Sequence, residues 1–169
     1  LLQAADGSYW CQYNKSILQF VKKGQSLLLQ KIIPGNRNFN EALCLEGSSA
    51  LWWGNHDVVY TCPVRSNKPV SVVTTKGLVK SILPSGDSLW VGTDKGLFLY
   101  TKNAQLLKQW TTENGLPNDF IYSLMKDAAG RIWCSSNNGI FLLEPTSGRI
   151  TIFTEDDGLQ GKEFNTNSY

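Results

Sequence analysis

What most limits the folds open to this 169-residue chain is a repeat of about forty residues. Leu1 to Ile17, LLQAADGSYWCQYNKSI, aligns without a gap on Leu124 to Ile140, LMKDAAGRIWCSSNNGI. Leu1 then meets Leu124, Gly7 meets Gly130, Trp10 meets Trp133 and Cys11 meets Cys134. Two further copies lie between, one containing LWWGNHDVV and the other SLWVGTDKGL, with tryptophans at Trp52 and Trp90. The four tryptophans are 42, 38 and 43 residues apart, and a second marker, the Gly-Leu pair at Gly77, Gly115 and Gly158, recurs after 38 and 43 residues. A period of this size decides architecture before any single residue is interpreted.

Within each period the pattern is that of strands. Short apolar and β-branched runs are bounded by Gly, Asn, Asp, Ser and Pro clusters, and no stretch keeps the spacing of an amphipathic helix. The clearest copy predicts strands at Phe120 to Lys126, Arg131 to Ser135, Gly139 to Glu144 and Arg149 to Thr154, separated by DAAG, NN and PTSG, which tolerate tight turns. The third copy predicts Val79 to Leu83, Ser88 to Gly92, Gly96 to Thr101 and Gln105 to Thr111; the first predicts Tyr9 to Tyr13, Ile17 to Val21 and Ser26 to Ile33 after a truncated opening strand. Four antiparallel strands repeated in this way are the signature of a β-propeller blade. The expected fold is therefore all-β: about four four-stranded blades forming a fragment of a larger propeller. Blades are expected near residues 1–34, 35–75, 76–112 and 113–158, with 159–169 opening a further one. Blades stack on both faces, so the tryptophans are expected between blades; Trp110 has no counterpart in the other copies.

Composition narrows the function classes. With 41% apolar and 18% charged residues the chain can bury a core, and 16 Lys and Arg against 14 Asp and Glu leave a net charge of only +2. No run of like charge supplies the footprint of a nucleic-acid binder. Apolar stretches such as Leu27 to Leu29 and Ile32 to Ile33 fall far short of the roughly 20 residues of a membrane-spanning helix, so no membrane contact is expected. The first residue is Leu1 and no basic segment precedes an apolar one, so any leader is expected outside this sequence. Cys11, Cys44, Cys62 and Cys134 match neither a C-x-x-C pair nor zinc-ligand spacing and read as small buried hydrophobes; no metal and no cofactor is expected.

At the level of the whole repeat the residues resemble a known family, the two-component regulator propeller of the periplasmic sensors of Bacteroides-type hybrid two-component systems. The fourth copy, NGLPNDFIYSLMKDAAGRIWCSSNNGIFLLEPTSGRITIFTEDDGL from Asn114 to Leu159, is similar to the family's Gly-Leu-Pro, Asp, Gly, Ile-Trp and Gly-Ile pattern. The third keeps the core LWVGTDKGL. The first and second depart from it, since Ser16 and Val58 stand where a glycine precedes the third strand, and the second copy lacks the usual aspartate before its first turn. The resemblance implies a histidine kinase as parent, with further blades and an immunoglobulin-like domain as intramolecular partners, and a periplasmic location. No ATP-binding loop or phosphoacceptor segment is visible, so this stretch is expected to be non-catalytic.

In a propeller the connections between blades and the turns joining the second and third strands emerge on one rim. That rim is expected to gather Arg37 and Asn38, Asn55, His56 and Asp57, Asp94 and Lys95, Asn118 and Asp119, Asn137 and Asn138, and Lys162 and Glu163. Amides and mixed charges suit hydrogen bonding to sugar hydroxyls, so the candidate ligand is an oligosaccharide from polysaccharide breakdown, and the candidate contacts are Arg37, Asn38, His56, Asp57, Lys95, Asn118, Asp119 and Asn138. The same residue types are turn formers. His56 reads as a solvated turn residue, and Asp156 and Asp157 read as turn caps, with calcium ligation as the alternative. Two other functions are open, a propeller lyase or glycosidase and a protein-interaction scaffold. Exposed end blades also predict self-association of the chain.

Overall fold

The computed structural model describes residues 1–34, 42–66, 68–161 and 163–164. Four antiparallel meanders follow one another along the chain. The first sheet comprises β1 (Leu2–Gln3), β2 (Tyr9–Tyr13), β3 (Ser16–Lys23) and β4 (Ser26–Pro34). The second comprises β5 (Leu43–Glu46), β6 (Ala50–Asn55), β7 (Val58–Pro63) and β8 (Val70–Thr74). The third holds β9 (Val79–Ser85), β10 (Ser88–Thr93), β11 (Gly96–Thr101) and β12 (Leu106–Trp110); the fourth holds β13 (Ile121–Lys126), β14 (Ile132–Ser136), β15 (Gly139–Leu143) and β16 (Ile150–Phe153). The fold is all-β, built of propeller blades. Strands of the third and fourth sheets lie within two residues of their predicted bounds. The hairpin of β3 and β4 runs longer than expected, to Lys23 and Pro34, and Pro84 is accommodated because β9 is an edge strand that need not donate there.

Three apolar cores join successive sheets. Trp10, Ile17 and Ile33 of the first sheet pack with Leu51, Trp53 and Cys62 of the second. Trp52, Val59 and Val73 pack with Leu89, Val91 and Phe98 of the third. Trp90, Leu97 and Trp110 pack with Ile132, Cys134 and Phe141 of the fourth. The repeating tryptophan of each of the first three sheets therefore always faces the next sheet. Trp10 is completely buried, and a side chain covering about 200 Å2 contributes about 5 kcal/mol at 25 cal/mol per Å2. Trp110, which the repeat does not explain, stacks on Trp90 with centroids 5.3 Å apart. Trp133 differs from expectation: it is only half-buried, on the outer face of the fourth sheet, where it stacks on Phe153 at 5.5 Å and meets no further sheet among the described residues.

The second and third sheets, and the third and fourth, approach closely where the repeat carries glycine two places after tryptophan. A Cβ on Gly54 would lie 2.6 Å from Val79 Cγ1, and one on Gly92 would lie 2.8 Å from Ile121 Cγ2. The turns after the first strands recur as well. Ala4 N–H donates to Ser8 O at 2.8 Å, and Asp127 N–H donates to Arg131 O at 3.0 Å, at positions matched by the alignment of the first and fourth copies. Asp127 also accepts from Arg131 Nε at 2.7 Å and from the Trp133 indole at 3.2 Å. Burial works against its charged form, but the Arg131 and Trp133 hydrogen bonds and the guanidinium charge hold its carboxyl down at about 2. The second copy has no aspartate at this place, yet Glu46 does the same work, accepting from the Trp52 indole at 2.9 Å and pairing with Lys102 of the third sheet. All four cysteines are free. Cys62 and Cys134 are buried, and Cys11 and Cys44 are partly buried.

Candidate functional site

The loops joining second to third strands are two-residue hairpins in every sheet, bracketed by the pairs Tyr13 with Ser16, Asn55 with Val58, Thr93 with Gly96 and Ser136 with Gly139. The left-handed residue moves between copies. Where glycine precedes the third strand it takes positive φ, 123° at Gly96 and 85° at Gly139. Where Ser16 and Val58 replace it, the strain shifts into the loop, to Asn14 at φ 52° and His56 at φ 55°, residue types that tolerate this region better than most. His56 is thus held out from the rim by backbone geometry and is exposed.

The connection between the second and third sheets runs beside these loops. Thr75 N–H donates to Asp57 O at 2.7 Å, Val79 N–H donates to His56 O at 2.7 Å, and the Leu78 N–H donates to the Asp94 carboxylate at 2.7 Å. Buried Thr75 places its hydroxyl 2.7 Å from Gly77 O and 3.1 Å from Asp57 O. Together the two hairpin loops and the connection form an open cleft of about 320 Å3, lined by His56, Asp57, Thr75, Lys76, Gly77, Leu78, Asp94 and Lys95. Asp94 is committed to the backbone, and Lys76 Nζ reaches Gln109 Oε1 at 3.3 Å. The imidazole, the Asp57 carboxylate and the Lys95 ammonium remain directed to solvent as donors and acceptors of both signs, an arrangement suited to a polar ligand with several hydroxyl groups.

Of the predicted contacts, His56, Asp57 and Lys95 come together here. Asn118, Asp119 and Asn138 form a separate cluster at the next connection, where each is engaged in a local hydrogen bond. Asn118 Oδ1 accepts from Phe120 N–H at 2.8 Å, Asp119 Oδ1 accepts from Thr112 N–H at 2.7 Å, and Asn138 Nδ2 donates to Pro117 O at 3.3 Å. They build the rim. Arg37, Asn38 and Lys162 lie outside the described residues. Asn55 is buried rather than on the rim, and its Oδ1 has no partner among the described residues. Asp157 caps its turn by accepting from Thr154 N–H at 2.9 Å, as Asn114 does for Thr111 at 2.6 Å. At two of its three positions the Gly-Leu marker is explained by these turns: Gly115 and Gly158 close them at φ 112° and 94°, and Leu116 is buried against the fourth sheet, whereas Gly77 closes no such turn and instead lies where a Cβ would meet Asp94 Oδ1.

Sequence reasoning did not find Thr75, Lys76 or Leu78, which line the cleft because a connection crosses it rather than through any motif. Nor did it find a second cleft of about 440 Å3 lined by Ala129, Gly130, Arg131 and Glu144 to Ser147. That one lies between two turns of a single sheet, and its guanidinium is already held by Asp127.

Residues 115–138, which include the Gly-Leu-Pro turn, β13 and β14, match the family model described as two component regulator propeller. This segment is similar to a two-component regulator propeller repeat. Over 73 residues the chain is 33% identical to Histidine kinase P4 of Formosa agariphila, a match covering 43% of this chain and 5% of that protein. The extracellular domain of hybrid two component system BT3049 from B. thetaiotaomicron superposes with a TM-score of 0.77 at 19% identity, over 96% of this chain and 23% of that one. That of BT4673 from the same organism gives 0.69 at 22% identity, over 89% and 20%. The chain thus spans a twentieth of the curated relative and about a fifth of these solved domains. Hydrazine synthase of Kuenenia stuttgartiensis also matches, with a TM-score of 0.68 at 13% identity, so the blade architecture serves unrelated chemistries and function must be argued from the site. Among the described residues no helix is long and apolar enough to cross a membrane.

Proposed function

We propose that the chain is a stretch of the extracytoplasmic signal-input region of a hybrid two-component sensor. It performs no catalysis itself, recognises an oligosaccharide at the cleft between the second and third sheets, and passes binding to a histidine kinase elsewhere in the same protein. The match of residues 115–138 to the two-component regulator propeller carries this reading. The cleft adds chemical support, because His56, Asp57 and Lys95 offer hydrogen bonds of both polarities without a concentrated field of one sign.

Calorimetry of the full chain against plant and host glycan fragments, with product analysis on the same samples, tests it. Heat without product is the expected result. Product would show a lyase or glycosidase, and neither heat nor product would leave a scaffold. For a fragment that binds, Asp57→Asn and Lys95→Ala are each expected to weaken affinity about 10-fold or more, the loss of one charge-assisted hydrogen bond. Unchanged affinity in both variants would move the ligand away from this cleft.

A further inference from the structure

At the inner edge of the rim, where the first strands of the third and fourth sheets lie side by side, four side chains form a row. Lys80 Nζ sits 5.2 Å from the centre of the Phe120 ring. Phe120 and Tyr122 have ring centroids 4.5 Å apart and planes inclined by 37°. The Tyr122 hydroxyl donates to Asn137 Oδ1 at 2.8 Å, which ties the far end of the row to the hairpin loop between β14 and β15. All four residues are partly exposed, and neither ring belongs to any of the three apolar cores.

Backbone geometry puts them there. β9 pairs with β10 through Val79 opposite Thr93 and Ser81 opposite Gly92, so the ladder passes over Lys80. β13 pairs with β14 through Ile121 opposite Ser136 and Ser123 opposite Ser135, and Tyr122 is passed over in the same way. Each is the second residue of its strand. A bulge of this kind turns one side chain out of the strand's alternation, and such bulges concentrate beside functional sites. Closing the sheets does not call for the rings, since Ile121 already fills the junction against Gly92 and is completely buried. An aromatic pair left in part to solvent, with an ammonium at one end and an amide at the other, has the make-up of a ligand platform: an apolar face with a few polar groups at its margins.

The cleft between the second and third sheets has the opposite make-up, polar groups with no Phe, Tyr or Trp in its lining. Leu78, which lines that cleft, lies two residues before Lys80, about 7 Å along an extended strand, and Val79 N–H donates to His56 O at 2.7 Å where the two meet. We propose that Phe120 and Tyr122 form a second subsite for the oligosaccharide bound in the cleft, receiving the C–H face of a sugar ring further along the same glycan. The Lys80 ammonium fixes Phe120, and the Asn137 amide meets the sugar's hydroxyls. This second subsite rests on the reading of the cleft as a saccharide site and adds a length requirement to it: the glycan must reach from the cleft to the aromatic pair.

Calorimetry of the full chain against gluco-, xylo-, manno- and arabino-oligosaccharides, each from monosaccharide to hexasaccharide, tests it. For the series that binds, affinity should rise with length. Tyr122→Ala should remove that rise, weakening the longest members about 10-fold and leaving the shortest binder unchanged. Tyr122→Phe keeps the ring and should lose no more than about 3-fold. Asp57→Asn should weaken every length alike. In a fluorotyrosine-labelled chain the Tyr122 fluorine resonance, assigned by its absence from Tyr122→Phe, should move with the hexasaccharide and not with the shortest binder, a readout that needs no truncated ring. Affinity that does not rise with length overturns the proposal, as does a Tyr122→Ala chain that keeps the rise, and so does a fluorine resonance that never moves. Equal loss at every length in Tyr122→Ala means a structural role and overturns it too. In each of these cases Asp57→Asn still reports on the cleft by itself, whereas a chain that binds no member of any series removes the cleft reading and the second subsite together.

Discussion

Adding a single methyl group at Gly92 should open the third core. The Cβ of Gly92→Ala would sit 2.8 Å from Ile121 Cγ2, 3.1 Å from Ile121 Cβ and 3.3 Å from Ile121 O. Carbon atoms in contact rest at about 3.5–4.0 Å, so the fourth sheet must retreat by roughly 0.7 Å or more, or Ile121 must leave its rotamer. Overpacking of this kind costs about 1–3 kcal/mol. Alanine in a strand recovers about 0.5–1 kcal/mol of chain entropy relative to glycine, leaving a net loss of about 1–2 kcal/mol. In a chain of this size that lowers Tm by about 2–8 °C. Ile121→Ala alone should cost about 2–5 kcal/mol, since Ile121 is completely buried. Because it removes the colliding Cγ2, the double variant should be less destabilised than the sum by about 1 kcal/mol or more. The assay is urea unfolding followed by Trp fluorescence and circular dichroism on all four proteins. Effects that add to within about 0.5 kcal/mol, or a stabilising Gly92→Ala, would refute the close approach of these sheets.

Other outcomes follow from the same geometry. Asp127 is held below the ordinary carboxylate value of 3.8, at about 2, so its contribution is present above pH 4 and is lost as pH falls through 2; Asp127→Asn should flatten acid unfolding in that window, and an unchanged profile would refute the role of Arg131. His56→Val places a β-branched residue at φ 55° and should lower stability by about 1–2 kcal/mol, read by thermal unfolding, whereas His56→Gly should lose less than 0.5 kcal/mol. Gly96→Ala combines φ 123° with a Cβ 2.5 Å from Trp110 O and should cost more than about 2 kcal/mol. Burial raises the thiols of Cys62 and Cys134, and burial followed by the Glu46 charge raises Cys44 to about 12, so at pH 8 these three should resist a thiol reagent until denaturant exposes all four cysteines.

The blade was legible because it is local. Strand pairing inside each meander joins residues close in sequence, and the period-two alternation around Leu89, Trp90 and Val91 reports burial on both faces of β10. The rim was legible in part for the same reason: hairpin loops such as His56–Asp57 follow from two-residue turn chemistry. What those loops do with their polar atoms was not. Asp119 and Asp57 look alike in the sequence, yet the first is consumed by Thr112 and the second lines a cleft. The difference depends on how a connection crosses the neighbouring sheet.

The amino-acid sequence by itself determined the repeat, the four strands in each copy and the apolar character of both blade faces, since periodicity and turn residues act over a few positions. Only the tertiary structure decided which face each tryptophan takes. It also decided that Glu46 replaces the missing aspartate, and that the left-handed residue sits at His56 once Val58 displaces a glycine. These are settled by contacts and backbone strain between residues that local pattern does not connect. Trp10 and Trp133 stand at equivalent places in the repeat, yet one is sealed and the other half-open, because burial belongs to the neighbouring sheet and not to the residue.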